Sequence, residues 1–262
     1  MRRRWQIFAV ILCALALILL LPPRRSGRMP ILTYHHVVPD GNECNEMTVT
    51  VSKLEGDLAW LREHGYTTVL PGELAAGVEL PEKPVMITFD DGYRSNYELA
   101  FPLFEQYGAK AVISLIVTLT DQENPSFCSW YMLREMEASG LVEIGSHSYA
   151  LHNLESGGEP SADGACGVQR RRGESAQTFD ARVLDDIRRS HARLTEELGS
   201  APTVFCFPFG ITDPAAQGCV EALFPVSFVT RPQMADPAHS LRYLPRFTVT
   251  MDVDLAILLN EN

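Results

Sequence analysis

The sequence predicts an α/β fold with mainly parallel strands, arranged either as a barrel or as an open sheet. Two observations lead to this prediction. Short apolar runs of strand length alternate with amphipathic helical segments, as in repeated β–α units. One run, residues 109–117, lacks polar alternation, as expected of a strand buried on both faces. In either architecture, functional side chains gather at the carboxyl ends of the strands.

The individual elements follow from apolar runs, caps and glycine stops. The first helix is predicted over residues 51–65, where Ser52 and Glu55 form a capping box and Gly65 ends the helix. Further helices are predicted over residues 96–108, 129–140 and 179–198. Strands are predicted over residues 30–37, 84–91, 109–117, 141–147, 203–210, 226–230 and 246–250.

The N-terminal region predicts a membrane anchor. Three arginines precede an uncharged apolar run of 17 residues, Trp5 to Leu21, at the short end of what spans a bilayer. The small-x-small triplet Ala14-Leu15-Ala16 lies inside the run, which favours an uncleaved anchor over a cleaved signal peptide. We therefore expect residues 1–28 to be an anchor and linker of a single-pass membrane protein. Residues 29–262 form the catalytic domain outside the cytoplasm, secreted if the segment is cleaved.

Charge and cysteine content restrict the partners and the kind of metal site. The formal net charge is −11, and residues 1–28 contain six arginines and no acid, so the remainder is more acidic still. Nucleic acid is therefore not an expected partner, whereas a neutral or cationic polymer is compatible. The cysteines beyond the anchor do not form CxxC pairs, which argues against a cysteine zinc site and leaves one disulfide possible.

Acids and imidazoles follow several of the predicted strands. Asp90 and Asp91 end one strand, His147 ends another, and His152 comes five residues later. One carboxylate with two neutral imidazoles is a ligand set suited to catalytic zinc or a similar divalent ion. A second carboxylate could then act as a base toward water. We therefore predict Asp91, His147 and His152 as metal ligands and Asp90 as the base. Two histidines five apart could chelate only from a loop or a distorted turn.

These residues resemble the motifs of the polysaccharide deacetylases of the NodB-homology type, carbohydrate esterase family four. The motif T-F-D-D-G is intact in "TFDDGY", Thr88 to Tyr93, and the paired histidines lie in "HSYALH", His147 to His152. The five-residue spacing, "ILTYHHV" and "FCFPFG" resemble the poly-N-acetylglucosamine deacetylase subgroup. The resemblance covers roughly residues 30–250. It implies a distorted (β/α) barrel that removes N-acetyl groups from an acetylated amino-sugar polymer.

The same resemblance implies roles for further residues. Many members carry Arg before a Pro-Tyr turn, where this chain has Cys206 and Phe209. Phe209 is then the candidate whose backbone N–H assists the oxyanion. The resemblance implies that the missing arginine orients the base, and Arg246 is the candidate to supply its charge, grouped with Phe209 as an oxyanion or substrate residue. The late Leu-x-x-His motif is absent, and in the subgroup the general acid moves to the N-terminal strand, which makes His35 the candidate acid. A purely structural histidine is the other interpretation of His35.

Three alternatives remain open at this point. The substrate could be peptidoglycan or an O-acetylated glycan, with the same chemistry at one metal. The changes at Cys206 and Phe209 are compatible with a glycan-binding surface protein that has lost turnover. The intact Asp90 argues against such a protein, because a binding protein does not need this carboxylate. The metal is expected to be zinc, although cobalt, nickel and iron accept the same ligands.

Overall fold

The computed structural model describes residues 28–152 and 167–260. The predicted anchor lies outside these ranges, apart from Arg28. Within the described part of the chain, no helix combines the length and apolar character that a membrane span requires. Cys44, Cys128, Cys206 and Cys219 are free thiols, so the possible disulfide does not form among these four.

Seven parallel strands of the described residues close a barrel. The described residues form ten strands in all, and the seven of the ring are β1 and β5 to β10. The ten are β1 Ile31–Tyr34, β2 His36–Val38, β3 Thr48–Thr50, β4 Thr67–Thr68, β5 Pro84–Phe89, β6 Ala111–Leu115, β7 Val142–Ser146, β8 Val204–Cys206, β9 Val226–Thr230 and β10 Leu244–Thr248. Strands β5 to β10 follow one another around the ring, and β1 lies between β10 and β5, pairing with both. The short β4 adds to the first residues of β5 outside the ring. The predicted parallel barrel is therefore confirmed.

Helices cover the outside of the ring. They are α1 Val51–Glu63, α2 Pro71–Ala75, α3 Phe101–Tyr107, α4 Val117–Asp121, α5 Trp130–Ala138, α6 Ala176–Phe179, α7 Asp185–Leu198, α8 Pro214–Leu223 and α9 Leu255–Asn260. Single π-helical turns, Asn96–Ala100 and Asp180–Leu184, lead into α3 and α7. Gly108 and Gly199 end these two helices in left-handed conformation, as the sequence predicts.

The barrel interior has an apolar layer below a polar layer. Alternate residues of a strand point to opposite faces, so Met86 and Thr88 of β5 point inward while Ile87 packs toward the helices. The inward apolar layer is formed by Ile31, Met86, Val112, Val204, Val226 and Leu244. Further along the same strands, toward their carboxyl ends, come Thr33, Thr88, Ser114, Cys206 and Arg246, all buried. The interior thus becomes polar where the functional residues begin.

Two predictions about individual elements were wrong, one about the length of a strand and one about the cap of a helix. The predicted strand 30–37 breaks at His35, and β2 leaves the barrel to pair with β3 in a separate two-stranded sheet. Helix α1 is capped by Thr50, whose side chain accepts from the N–H of Lys53. Ser52 does not cap the helix, because its hydroxyl donates to Asp40 at 2.6 Å and its N–H donates to the same carboxylate.

The other predicted boundaries shift by a few residues. Helix 179–198 begins earlier, at Ala176, because the Ser175 side chain accepts from the N–H of Thr178 and caps it there. The strand predicted over residues 246–250 is β10, Leu244–Thr248. His191 of α7 packs edge-on against Phe224, with 5.2 Å between the ring centroids.

Candidate metal centre and active site

Asp90 is held from inside the barrel by Arg246. Asp90 directly follows β5, on the inward face that Met86 and Thr88 define. Both terminal nitrogens of Arg246 donate to the two oxygens of Asp90, at 2.8 and 2.7 Å. Burial opposes ionisation, but the Arg246 charge outweighs it and lowers the pKa of Asp90 below its usual range. Asp90 is therefore an oriented, ionised carboxylate.

Arg246 lies on β10 and is completely buried. One nitrogen also donates to the hydroxyl of Thr88 at 3.1 Å, and it lies 3.5 Å from the Cys206 sulfur. Cys206 occupies the sequence position at which the resemblance leads one to expect arginine. The missing charge is thus supplied from β10, which is separated from the β8 strand of Cys206 by β9. Because Arg246 has no exposed surface, it contacts Asp90 and not the open rim where a substrate would bind.

Asp91, His147 and His152 converge on one point. Oδ1 of Asp91 lies 3.7 Å from Nε2 of His147 and 3.5 Å from Nε2 of His152. One potential ligand atom from each residue lies within 4.8 Å of the other two. Oδ1 of Asp91 is buried and has no hydrogen-bond partner. An unpartnered buried carboxylate oxygen facing two imidazole nitrogens is the arrangement that a divalent cation requires.

The electrostatics of this cluster also fit a cation. Burial raises the pKa of Asp91 to about 6 and lowers the pKa of His147 to about 3. Burial likewise lowers the pKa of His152. Both imidazoles are therefore neutral at physiological pH, as metal ligands must be. Nδ1 of His147 lies 2.8 Å from the carbonyl of Cys206. With a proton on Nδ1, the lone pair of Nε2 faces the cluster. The residues present therefore fit a zinc-like ion.

The backbone is left-handed at Asp91 and Gly92 and again at Ser148, between the two histidines, and these turns orient the ligand side chains. Asp91 and Gly92 have φ values of 72° and 82°, and the left-handed turn directs the Asp91 carboxylate toward the histidines. A Cβ on Gly92 would lie 2.6 Å from Leu115, so the turn requires glycine. Ser148 has a φ of 75° and its hydroxyl accepts from the N–H of Leu151. This turn lets histidines five apart meet, as the sequence requires of them.

Asp186 braces the loop between the two histidines. Its two oxygens accept from the N–H groups of Tyr149 and Ala150, both at 2.8 Å. Asp186 lies on α7, outside the barrel. Sequence reasoning did not identify it, because acceptance from backbone N–H groups leaves no motif in the chain. Ser146 and Ser190 add a second link between β7 and α7, with their hydroxyls 2.9 Å apart.

Phe209 packs flat against His152. The ring centroids are 4.5 Å apart with an interplanar angle of 26°. Phe209 has a φ of 58° in a short 3₁₀ turn, Pro208–Gly210, that follows β8. In this turn the N–H groups of Gly210 and Ile211 donate to the carbonyls of Phe207 and Pro208. The N–H of Phe209 is the candidate oxyanion donor at this position.

His35 lies at the end of β1, at the point where the strand breaks. The side-chain amide of Asn96 donates to the His35 carbonyl at 2.8 Å, and the Ser95 hydroxyl accepts from the N–H of Val37 at 3.2 Å. These two hydrogen bonds stabilise the backbone on either side of the strand break. Tyr34 pairs with Phe89 and its carbonyl accepts from the N–H of Asp90 at 3.0 Å, so the buried His35 and Asp90 follow neighbouring strand ends. Asp90 and Asp91 after β5, His147 and His152 after β7, and His35 after β1 therefore lie on one rim of the barrel.

Comparison with known proteins agrees with this site. A family model described as polysaccharide deacetylase matches residues 77–223, more than half of the chain. A poly-beta-1,6-N-acetyl-D-glucosamine N-deacetylase of Escherichia coli K12 is 27% identical over 250 residues, covering 86% of this chain and 37% of the relative. A Staphylococcus aureus protein of the same name is 23% identical and covers 80% of this chain and 70% of the relative. The chain thus spans little more than a third of the Escherichia coli relative.

Solved structures share the fold. A de-N-acetylase from Aggregatibacter actinomycetemcomitans superposes with a TM-score of 0.75 at 24% identity, covering 89% of this chain and 99% of that one. The BpsB deacetylase domain from Bordetella bronchiseptica gives 0.71 at 25% identity, with 89% and 100% covered. The Asp-Asp-Gly turn, the paired histidines and the matching family model lie in the same stretch of sequence. The chain is a member of the polysaccharide deacetylase family.

Proposed function

We propose that this protein is a metal-dependent deacetylase that removes N-acetyl groups from an N-acetylglucosamine-containing polysaccharide. The observation that carries the proposal is the pairing of an unpartnered Asp91–His147–His152 cluster with an Asp90 carboxylate kept ionised by Arg246. The names of the Escherichia coli and Staphylococcus aureus relatives support poly-β-1,6-linked N-acetylglucosamine as the substrate.

Each residue of the site has a separate task. Asp91, His147 and His152 would hold the divalent ion, most simply zinc. When bound, such an ion supplies a Lewis acid for a carbonyl and lowers the pKa of water. Asp90 accepts the proton of the attacking water, and the Arg246 fork keeps both of its oxygens in place. In this proposal His35 returns a proton to the departing amine, and the N–H of Phe209 donates to the oxyanion.

The geometry weakens the case for a binding protein without turnover. That alternative was motivated by Cys206 and Phe209. Arg246 supplies the charge that Cys206 lacks, and Phe209 keeps an aromatic ring against His152 although it lacks a hydroxyl. Peptidoglycan and O-acetylated glycans use the same chemistry and are distinguished by the substrate panel described next.

The test is acetate release by the full-length protein from poly-β-1,6-N-acetylglucosamine oligomers, with peptidoglycan fragments and O-acetylated xylan alongside. Wild type is expected to release acetate from the first substrate, and a chelator is expected to stop it. Asp90→Asn should lower kcat by at least about a hundred-fold, the size expected for loss of a general base, while zinc still binds. Asp185→Asn, an exposed carboxylate on α7, is the matched control and should keep full activity. Unchanged activity in Asp90→Asn would remove the assignment of the base.

We also propose that the protein acts at the cell surface, anchored by residues 1–28 with the domain outside the cytoplasm. The support is the apolar run Trp5 to Leu21 and the arginines before it. Membrane fractionation with protease added to intact cells tests this. Digestion of membrane-bound protein supports the proposal, and full protection would contradict it.

A further inference from the structure

A groove beside the metal cluster has the chemistry of a sugar-binding surface. It is a cavity of about 540 Å³, walled by the connection between β6 and α5 and by the start of α5. Phe127, Trp130 and Tyr131 line it, and we call it the aromatic groove. Tyr131 is 68% exposed, although the side chains of most large hydrophobic residues here are buried. No residue of the catalytic cluster lines the groove.

One aromatic contact and two backbone contacts connect the wall of the aromatic groove to the turn that holds Asp91. Phe127 stacks on Tyr93, with ring centroids 5.0 Å apart, and the two residues form an antiparallel bridge. The N–H of Cys128 donates to the carbonyl of Gly92 at 2.9 Å. Tyr93 is two residues from Asp91 and interacts with its carboxylate. The groove therefore begins one aromatic side chain away from the proposed metal ligand.

The charges of the groove cancel. Arg94 and Arg134 are balanced by Glu123 and Glu197, and Arg134 pairs with Glu197 at 2.9 Å. An anionic ligand would need an excess of positive charge, and an apolar ligand would leave these polar groups without partners. A neutral ring with one apolar face and hydroxyls at its edge matches both the aromatic and the polar lining. Pyranose sugars have this chemistry.

We propose that the aromatic groove binds sugar residues of the polymer that flank the one being deacetylated, with Tyr131 as the stacking side chain. The inference rests on the proposed function for the identity of the polymer, and on the groove for the position of the site. It assigns this enzyme a preference for long chains, because a short oligomer fills the catalytic centre without reaching Tyr131.

The experiment compares Tyr131→Ala, Tyr131→Phe and wild type as full-length proteins. Binding of poly-β-1,6-N-acetylglucosamine disaccharide and hexasaccharide is followed by tryptophan fluorescence, for which Trp130 in the groove is the reporter. Acetate release is measured on the same two oligomers. Tyr107→Ala is the matched control, because Tyr107 lines a cavity at the opposite end of the barrel, beside β4.

Tyr131→Ala is expected to weaken hexasaccharide binding and to lower its kcat/KM by about five-fold or more, as for the loss of one stacking contact. The disaccharide values should not change, and Tyr131→Phe and Tyr107→Ala should resemble wild type. Equal hexasaccharide binding in all variants would overturn the proposal, as would an equal loss for both oligomers. Hexasaccharide binding that depends on Tyr131 without any acetate release would leave the groove intact and refute the proposed deacetylase instead.

Discussion

At the scale of single residues, the base and its orienting charge come from distant parts of the chain. Asp90 follows β5, whereas Arg246 lies on β10, and neither group is exposed. A buried carboxylate facing a buried guanidinium is stable only while both are present. The pair therefore links the chemistry of the site to the stability of the barrel.

Arg246→Lys tests this link. Lysine keeps the charge but cannot make the two-pronged contact with both oxygens of Asp90. We expect kcat to fall at least about ten-fold with KM and zinc affinity little changed, because the ligand cluster is untouched. Arg246→Met should destabilise the fold by about 3–5 kcal/mol, since it leaves Asp90 buried and unpaired.

The double variant Asp90→Asn/Arg246→Met is the control for Arg246→Met. It removes both charges and should regain much of the lost stability, as measured by urea unfolding. Equal instability of the single and double variants would show that Arg246 acts through packing rather than through its charge.

Some of the site residues were predictable from the sequence, and the contacts of others were not. Asp90, Asp91, His147 and His152 carry a motif, and the last three converge on one point. Their roles as base and metal ligands stay predictions. Arg246 was the candidate for the charge that orients the base, and it does contact Asp90. Its complete burial could not be predicted, because the register of β10 is set by neighbouring strands. The His35 strand break depends on Asn96, which is 61 residues away.

At the scale of elements, α7 holds the loop between His147 and His152 in place without supplying a ligand to the proposed metal. Asp186 of α7 fixes two consecutive N–H groups in the loop that connects the ligand histidines. Partners of this kind tune metal sites nearly as strongly as the ligands do. Helix α7 itself was predictable from its periodic apolar stripe, but its contact with the loop was not.

Asp186→Asn is expected to lower zinc affinity by about ten-fold, because an amide has only one acceptor oxygen for two N–H groups. A competition titration with a zinc chelator measures the change. Asp180→Asn, in the π-helical turn just before α7, is the matched control and should bind zinc as wild type does. Wild-type affinity in Asp186→Asn would mean that the loop holds its shape without this brace.

The same carboxylate predicts how stability varies with pH. Burial raises the pKa of Asp186 to about 6 in the folded protein, from an ordinary value of 3.8. Between these values the folded state binds the proton more tightly than the unfolded state, so the stability that Asp186 contributes falls as pH rises and is constant above about pH 6. The difference in unfolding free energy between wild type and Asp186→Asn should therefore shrink between pH 4 and pH 6, by roughly 2–3 kcal/mol at most. A difference that grows with pH would contradict the raised pKa.

At the scale of the whole molecule, the barrel interior is filled. A Cβ placed on Gly145 would lie 2.4 Å from Cγ1 of Val204 and 2.9 Å from Oγ of Ser114. Strands β6, β7 and β8 approach one another closely at this point because Gly145 has no side chain. The alternation of strands and helices predicted a parallel α/β fold, and the family resemblance predicted the barrel. The close approach at Gly145 depends on the three-dimensional packing of three strands and could not be predicted.

Gly145→Ala is expected to destabilise the protein by about 1–3 kcal/mol through overpacking. Gly56→Ala is the matched control, since Gly56 lies within α1 with no atom within 4 Å of an added Cβ. It should instead stabilise the protein by about 0.5–1 kcal/mol. Urea unfolding measures the stability of both variants. Equal changes in stability would mean that the strands around Gly145 shift enough to accommodate the added methyl group.

Because β1 pairs with β10 in the ring, the barrel cannot close until nearly all of the chain has been synthesised. β1 is made among the first strands, yet one of its two ring partners, β10, is synthesised more than 200 residues later. Until β10 emerges, the cylinder has a gap beside β1 and Asp90 lacks the guanidinium that orients it. Contacts so distant along the chain form late and slowly. Catalytic competence should therefore appear only with the final closure of the ring, so that an incompletely synthesised or partly folded chain carries no deacetylase activity.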